Sequence, residues 1–314
     1  VNAVLRPMST SEILDRTFSL YKNNFLVFAG IAILPATLAL ALHVVGIATH
    51  LTVPTQGRSP GETQLTSMVF EVLVFFIASI VGGGIATGAS VYAVYHLDLG
   101  KPATVAGSYK NVLAAWLRVI VAAVLVFVVV LLISAVALIG LSSAIFVPLA
   151  RMKLGAPQEG IITGIAVIAV ALILFALWMY ISAWLSFVIP ALLLDKNSIF
   201  RSFRRSHRLS KGSRGRIFLV LLLTLILALV FTWTLRIPAY MIFDQRRQQV
   251  PLQLWSDISQ FLSTVLAGPI AAIAIALLYI DQRIRKEAFD LHLMMLSIEE
   301  NASPQAAEAS SAVG

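Results

Sequence analysis

The chain has 314 residues, of which 59% are hydrophobic and 12% charged, and it contains no cysteine. A charged share about half that of ordinary soluble domains excludes a soluble globular enzyme, and the missing thiols exclude disulfides, thiolate nucleophiles and cysteine metal sites. The net charge of +8 would suggest nucleic acid in a soluble chain. In a polytopic membrane protein, basic cytoplasmic loops and anionic headgroups account for it more simply, so no nucleic-acid partner is expected.

Residues 9–24 open with Ser9 and Glu12 at capping-box spacing, just after Pro7. Ile13, Leu14, Phe18, Tyr21 and Phe25 then recur at helical spacing opposite Glu12, Asp15, Arg16 and Lys22, which predicts an amphipathic helix. It either packs beside the spans or lies in the membrane interface. The interface is preferred, because the chain offers no soluble domain to pack against. The first 24 residues do not read as a cleaved signal, and the first span is expected to be an uncleaved anchor.

Six apolar runs are each long enough to cross a bilayer, which needs about 20 residues. They cover about 25–48, 67–95, 117–146, 161–187, 217–240 and 261–280. Pro35 and Pro269 fall inside the first and last. Gly84 and Gly88 in the second have small-xxx-small spacing, which serves close helix packing. A short amphipathic helix is predicted from Thr104, with Val105, Tyr109, Val112, Leu113 and Trp116 on one face. A charged helix is predicted over 281–296, and a polar, disordered tail over 297–314.

The fourth and fifth spans flank the most basic stretch, 196–216. It carries Lys196, Arg201, Arg204, Arg205, Arg208, Lys211, Arg214 and Arg216 and no acid. With both termini cytoplasmic, the inner segments hold 17 of the 23 basic residues and the outer segments 6. The positive-inside rule therefore predicts an N-in, C-in protein. Leu20-Tyr21-Lys22-Asn23, Ser108-Tyr109-Lys110-Asn111 and Leu209-Ser210-Lys211-Gly212 occupy equivalent places before successive span pairs. The fold expected is therefore all-α: one membrane domain over 1–296 with six transmembrane helices. It is built from three repeats of a cytoplasmic amphipathic helix and a transmembrane hairpin, at about 9–95, 102–187 and 197–280.

Two passages carry a resemblance. RPMSTSEILDRTFSLYKNNF (6–25) and LYIDQRIRKEAFDL (278–291) resemble the N-terminal and C-terminal signatures of the glycerophosphoryl diester phosphodiesterase membrane-domain family. The basic run 201–216 also fits the segment that precedes span 5 in that family. The resemblance implies a stand-alone polytopic protein of a bacterial inner membrane. Its namesake enzymes carry a separate soluble barrel after the membrane domain. This chain is expected to lack that barrel, so no esterase activity is carried over.

The residues offer little chemistry. The five histidines have no metal-ligand spacing, and there is no nucleophile elbow or Walker A loop. No metal, cofactor or catalytic residue is predicted. Polar groups inside spans are the default functional candidates, and here they are His43, Glu71 and Arg236. All three sit toward the outer interface, where snorkelling or interfacial solvation is expected; the alternative is an outward-facing polar pocket in which Glu71 pairs with His43 or Arg236. Asp281, Arg283, Arg285, Lys286 and Asp290 form a C-terminal docking surface, with Asp281 expected near Arg204 or Arg208. Arg201, Arg204, Arg205, Arg208, Lys211, Arg214 and Arg216 are predicted to contact anionic lipid or a partner.

The leading expectation is a non-enzymatic scaffold or accessory subunit that engages anionic lipid, a larger membrane complex or itself. The alternative is a transporter or lipid-handling protein with a cavity between the repeats. A polar cavity reaching the membrane midplane would discriminate them.

Overall fold

A computed structural model describes residues 7–49, 60–151, 156–243 and 249–287. Asp290, the predicted helix beyond residue 287, the 297–314 tail and Arg246 and Arg247 lie outside the described residues. The described residues are mostly helical, without strands.

Ser9 caps α1 (Thr10–Asn23) through the reciprocal box with Glu12. Ser9 accepts from the Glu12 amide, and the Glu12 carboxylate accepts from the Ser9 amide at 2.6 Å. Asn24 interrupts the chain before α2 (Phe25–Ala48), the first apolar helix. The second apolar run is built from three pieces. These are α3 (Pro60–Val74), a π-helical segment over Phe75–Gly82, and α4 (Gly83–Asp98). Thr104 caps the short α5 (Val105–Leu113), which stops before Trp116. Leu113 and Trp116 are both about half exposed, so the apolar face predicted to run through them ends with Val112.

The long α6 (Trp116–Arg151) and α7 (Ala156–Leu185) follow, then the short α8 (Val188–Leu194). The basic helix α9 (Ile199–Ser210) leads through Gly212, whose φ of +81° suits glycine, into α10 (Arg214–Ile242). The last helix, α11 (Gln249–Glu287), has 39 residues and would extend about 58 Å at 1.5 Å per residue. Among the described residues, six helical stretches are long and apolar enough to cross a membrane.

Those six stretches are not equivalent. In α11, 61% of the most apolar window is buried inside the protein, against 11% in the stretches of α6 and α7. The last helix is therefore the post around which the bundle is packed. It packs against α1, α2, α4, α9 and α10. Ile273, Leu277, Leu278 and Tyr279 are fully enclosed, and Phe28, Ile31, Val91, Phe187, Leu209 and Ile217 share their core.

Both small-xxx-small glycines do the work expected of them. A Cβ on Gly84 would come within 3.0 Å of the Ala123 Cβ of α6. One on Gly88 would come within 2.9 Å of Leu193 and 3.3 Å of Val112. The amphipathic helices α1, α5 and α9 gather at one end of the bundle. There α1 packs directly on α11 and encloses Ile13 and Thr17 fully, a protein contact that supplies the packing surface the sequence reading lacked.

Candidate functional site

Three irregular stretches of helix face one another, and a cavity lies between them. Pro35 in α2 and Pro269 in α11 each lack the N–H that would bond the preceding turn. The π-helical segment of the second span faces Pro35: a Cβ on Gly82 would meet the Pro35 side chain at 2.9 Å. Membrane helices tolerate such breaks where neighbours re-satisfy the freed backbone. A tyrosine of one amphipathic helix does this at Pro35. Tyr109 of α5 donates to the Ile31 carbonyl at 2.6 Å, the acceptor four residues before Pro35. Tyr21 of α1 donates to the Leu266 carbonyl at 2.6 Å, next to the Val265 carbonyl that Pro269 leaves without its amide. Burial raises both phenols above the usual tyrosine value, Tyr109 to about 12, so both stay protonated donors.

The cavity has a volume of about 460 Å³, within the range of small-molecule sites. Its walls come from α2, the second span and α11. On α2 it extends from Ile31 to His43, about 18 Å along the helix, and so passes the middle of that 24-residue element. Ser90, Thr87 and Thr264 bring hydroxyls to the deeper wall, while Pro35, Ala39 and Phe261 make it apolar.

At the mouth, His43 Nε2 lies 3.1 Å from Glu71 Oε2, one of the two contacts that the polar-pocket alternative allowed for Glu71. Its Nδ1 lies 3.8 Å from Asp257 Oδ1. Arg236, the third predicted member, bonds Gln260 at 3.3 Å and is within electrostatic reach of Asp257. Asp257 is the residue that sequence reasoning missed. It is only 7% exposed and lines the cavity. Gln253, one turn earlier, hydrogen-bonds its carboxylate. Its Oδ2 is buried without a hydrogen-bond partner among the described residues. Asp257 precedes the apolar core of the last span, so a pattern search assigns it to the loop. That α11 already begins at Gln249 is what carries it into the bundle.

The other end of α11 is built differently. Asp281 is fully buried and fully bonded. It accepts from the Met8 amide at 2.7 Å, Arg285 at 2.9 Å, Arg216 at 3.1 Å and Gln282 at 3.2 Å. Arg216 and Arg285 in turn donate to the Met8 carbonyl at 2.7 and 2.6 Å. The expectation that Asp281 meets Arg204 or Arg208 is therefore corrected: its basic partners are Arg216 and Arg285. Arg216 lies in the first turn of α10, where the helix turns its side chain toward α11, whereas Arg204 lies on the exposed face of α9.

The docking of the last helix on the basic segment runs through other acids. Glu287 accepts from Arg205 at 2.6 Å and Arg208 at 3.3 Å. Asp195 pairs with Arg283 at 3.2 Å and with Arg205, and Tyr279 donates to it. Lys286 caps the end of α9 by donating to the carbonyls of Leu209 at 2.8 Å and Lys211 at 2.5 Å. The seven predicted lipid-contact residues thus divide. Arg205 and Arg216 turn inward, Arg214 lies over the Tyr180 ring, and Arg201, Arg204, Arg208 and Lys211 are exposed.

The helix count and the apolar surfaces define a multi-pass helical membrane protein. Residues 8–280 match the family described as a domain of unknown function, DUF7847, and the chain belongs to that family. No curated protein and no solved structure matches it.

Proposed function

We propose that this is a non-enzymatic membrane protein that binds a small amphipathic solute or lipid in the cavity between its first hairpin and its last span. The observation that carries the reading is the cavity itself. It runs from a polar mouth past the middle of α2, between helices broken by two prolines and a π-helical segment. Transport and solute sites are built from such discontinuous helices near the bilayer midplane. In this reading the protein sits N-in, C-in in a bacterial inner membrane, as three repeats of amphipathic helix and hairpin. Its mouth faces outward, and its likeness to the glycerophosphoryl diester phosphodiesterase membrane domains is one of membrane architecture alone. Purification in mild detergent, followed by native mass spectrometry, tests it. A small molecule or single lipid retained by the protein, and lost when Ala36→Trp fills the cavity, is the expected result. Equal retention by that variant counts against the reading.

A second reading, scaffold or accessory subunit, is favoured by a separate observation. Arg201, Arg204, Arg208 and Lys211 present an exposed basic face, and α6 and α7 leave most of their apolar surface outside the bundle. Such a face suits anionic lipid, a larger complex or a second copy, each basic residue contributing about 1 kcal/mol at an anionic surface. A stoichiometric protein partner in the same purification supports it.

A further inference from the structure

We infer that the His43–Glu71–Asp257 mouth is the headgroup subsite for a protonated amine whose apolar body lies along the cavity. The inference rests on the cavity reading above and adds the chemical class of the ligand.

Charge comes first. The ionisable groups at the mouth are His43 on α2, Glu71 on α3, Arg236 on α10 and Asp257 on α11. Two carboxylates face one guanidinium, so a net negative charge remains when the imidazole is neutral. A neutral imidazole has one N–H and can donate to one carboxylate only. The distances assign it to Glu71, at 3.1 Å against 3.8 Å for Asp257.

Asp257 is then left short of donors. More than nine-tenths buried, it keeps an Oδ2 with no hydrogen-bond partner among the described residues, on a residue that lines the cavity. An unpaired carboxylate oxygen in such a place costs free energy until a cation or donor reaches it. An ammonium supplies both, with three N–H donors around one charge. Glu71 on α3 and the Gln260 side chain on α11 line the same cavity as further acceptors. A bare metal ion fits less well, because among the described residues no three histidine or acidic side chains, these three included, are arranged so that they could hold one. An anion would meet the two carboxylates.

Shape supplies the rest. Beyond the mouth the wall is Pro35, Ala36, Ala39, Leu40 and Phe261. An alkyl or aromatic body is matched there.

The test uses the full chain in nanodiscs of zwitterionic lipid, titrated with n-hexylammonium, 1-hexanol and hexanoate, and read by saturable shifts in thermal unfolding. Hexylammonium is expected to bind at least ten-fold more tightly than either of the others. Asp257→Asn is expected to lower its affinity at least ten-fold while leaving hexanol binding unchanged, which also shows the variant to be folded. Glu71→Gln, at the more exposed carboxylate, gives a smaller loss, and Asp257→Glu retains the preference. Equal affinity for the three probes, or an Asp257→Asn variant that keeps the amine preference, overturns the inference and leaves the cavity reading standing. If none of the three probes binds saturably, both fall.

Discussion

Two aspartates, 24 positions apart on α11, show what the two ends of that helix are for. Asp281 is fully buried, and the Met8 amide, Arg216, Arg285 and Gln282 occupy its oxygens. Asp257 is almost as buried but keeps one oxygen with no partner among the described residues. A carboxylate with all its partners in place ties elements together: here the start of α1, the start of α10 and the end of α11. One left short of donors lowers stability unless something else completes it. The same residue type, on the same helix at similar burial, is thus a structural tie at one end and a binding group at the other.

The largest effect is expected at the tie. Asp281→Asn keeps the shape but leaves Arg216 and Arg285 without their buried counter-charge. Breaking such a buried pair costs about 3–5 kcal/mol, so the variant should lose most of its folded yield. Size-exclusion profiles and thermal unfolding in one detergent measure it. A variant as stable as the parent would remove the distinction between the two aspartates.

Next comes the proline break beside the cavity. Tyr109→Phe leaves the Ile31 carbonyl without its donor opposite Pro35, at a cost of about 1–3 kcal/mol for an unsatisfied buried group. Pro35→Ala returns an N–H that can reach the same carbonyl. The double variant should therefore recover most of the loss, and additive losses would refute the pairing. The phenol also predicts a pH effect. Its pKa rises from 10.0 to about 12 on folding, so its contribution is complete below pH 10 and is lost as pH climbs through 12. Tyr109→Phe should lack that component of alkaline sensitivity.

Gly88→Ala places a Cβ 2.9 Å from Leu193 and 3.3 Å from Val112. Overpacking of this kind costs about 1–3 kcal/mol, toward the lower value here because Leu193 presents the end of a flexible side chain. Denaturation midpoints check it, and an unchanged midpoint would show that α4 can shift away from α8.

The smallest effect on folding is expected on the basic face. Joint replacement of Arg201, Arg204 and Arg208 by Gln should leave the melting temperature within about 2 °C, because exposed charges contribute little to stability. Binding to anionic liposomes should nevertheless fall. Unchanged lipid binding would limit the stretch to setting topology.

Much of this architecture is legible in the sequence. The six apolar runs match the six candidate spans within a few residues, apart from the fourth, which runs on to Leu194, and the longer ends of α11. The Ser9–Glu12 box starts α1 where its spacing says, and the glycines of the second span pack as small residues should. Legibility ends where partners are distant in the chain. Asp281 bonds Met8, 273 positions away, and no local pattern selects Arg216 over Arg204. His43 and Glu71 stand out because each is a lone ionisable group in an apolar run. Asp257 does not, since it sits among polar residues and only the early start of α11 brings it inside. The π-helical segment leaves no composition signal, because its residues are as apolar as those of any span.

The most direct measurement is a side-by-side thermal unfolding of Asp257→Asn and Asp281→Asn in the same zwitterionic nanodiscs, without added ligand. Asp257→Asn removes an incompletely partnered buried charge and is predicted to melt at or above the parent temperature, while Asp281→Asn melts far below it. Equal losses at the two positions would contradict the account, because both ends of α11 would then be structural ties and the cavity mouth would hold no unpaired group waiting for a ligand.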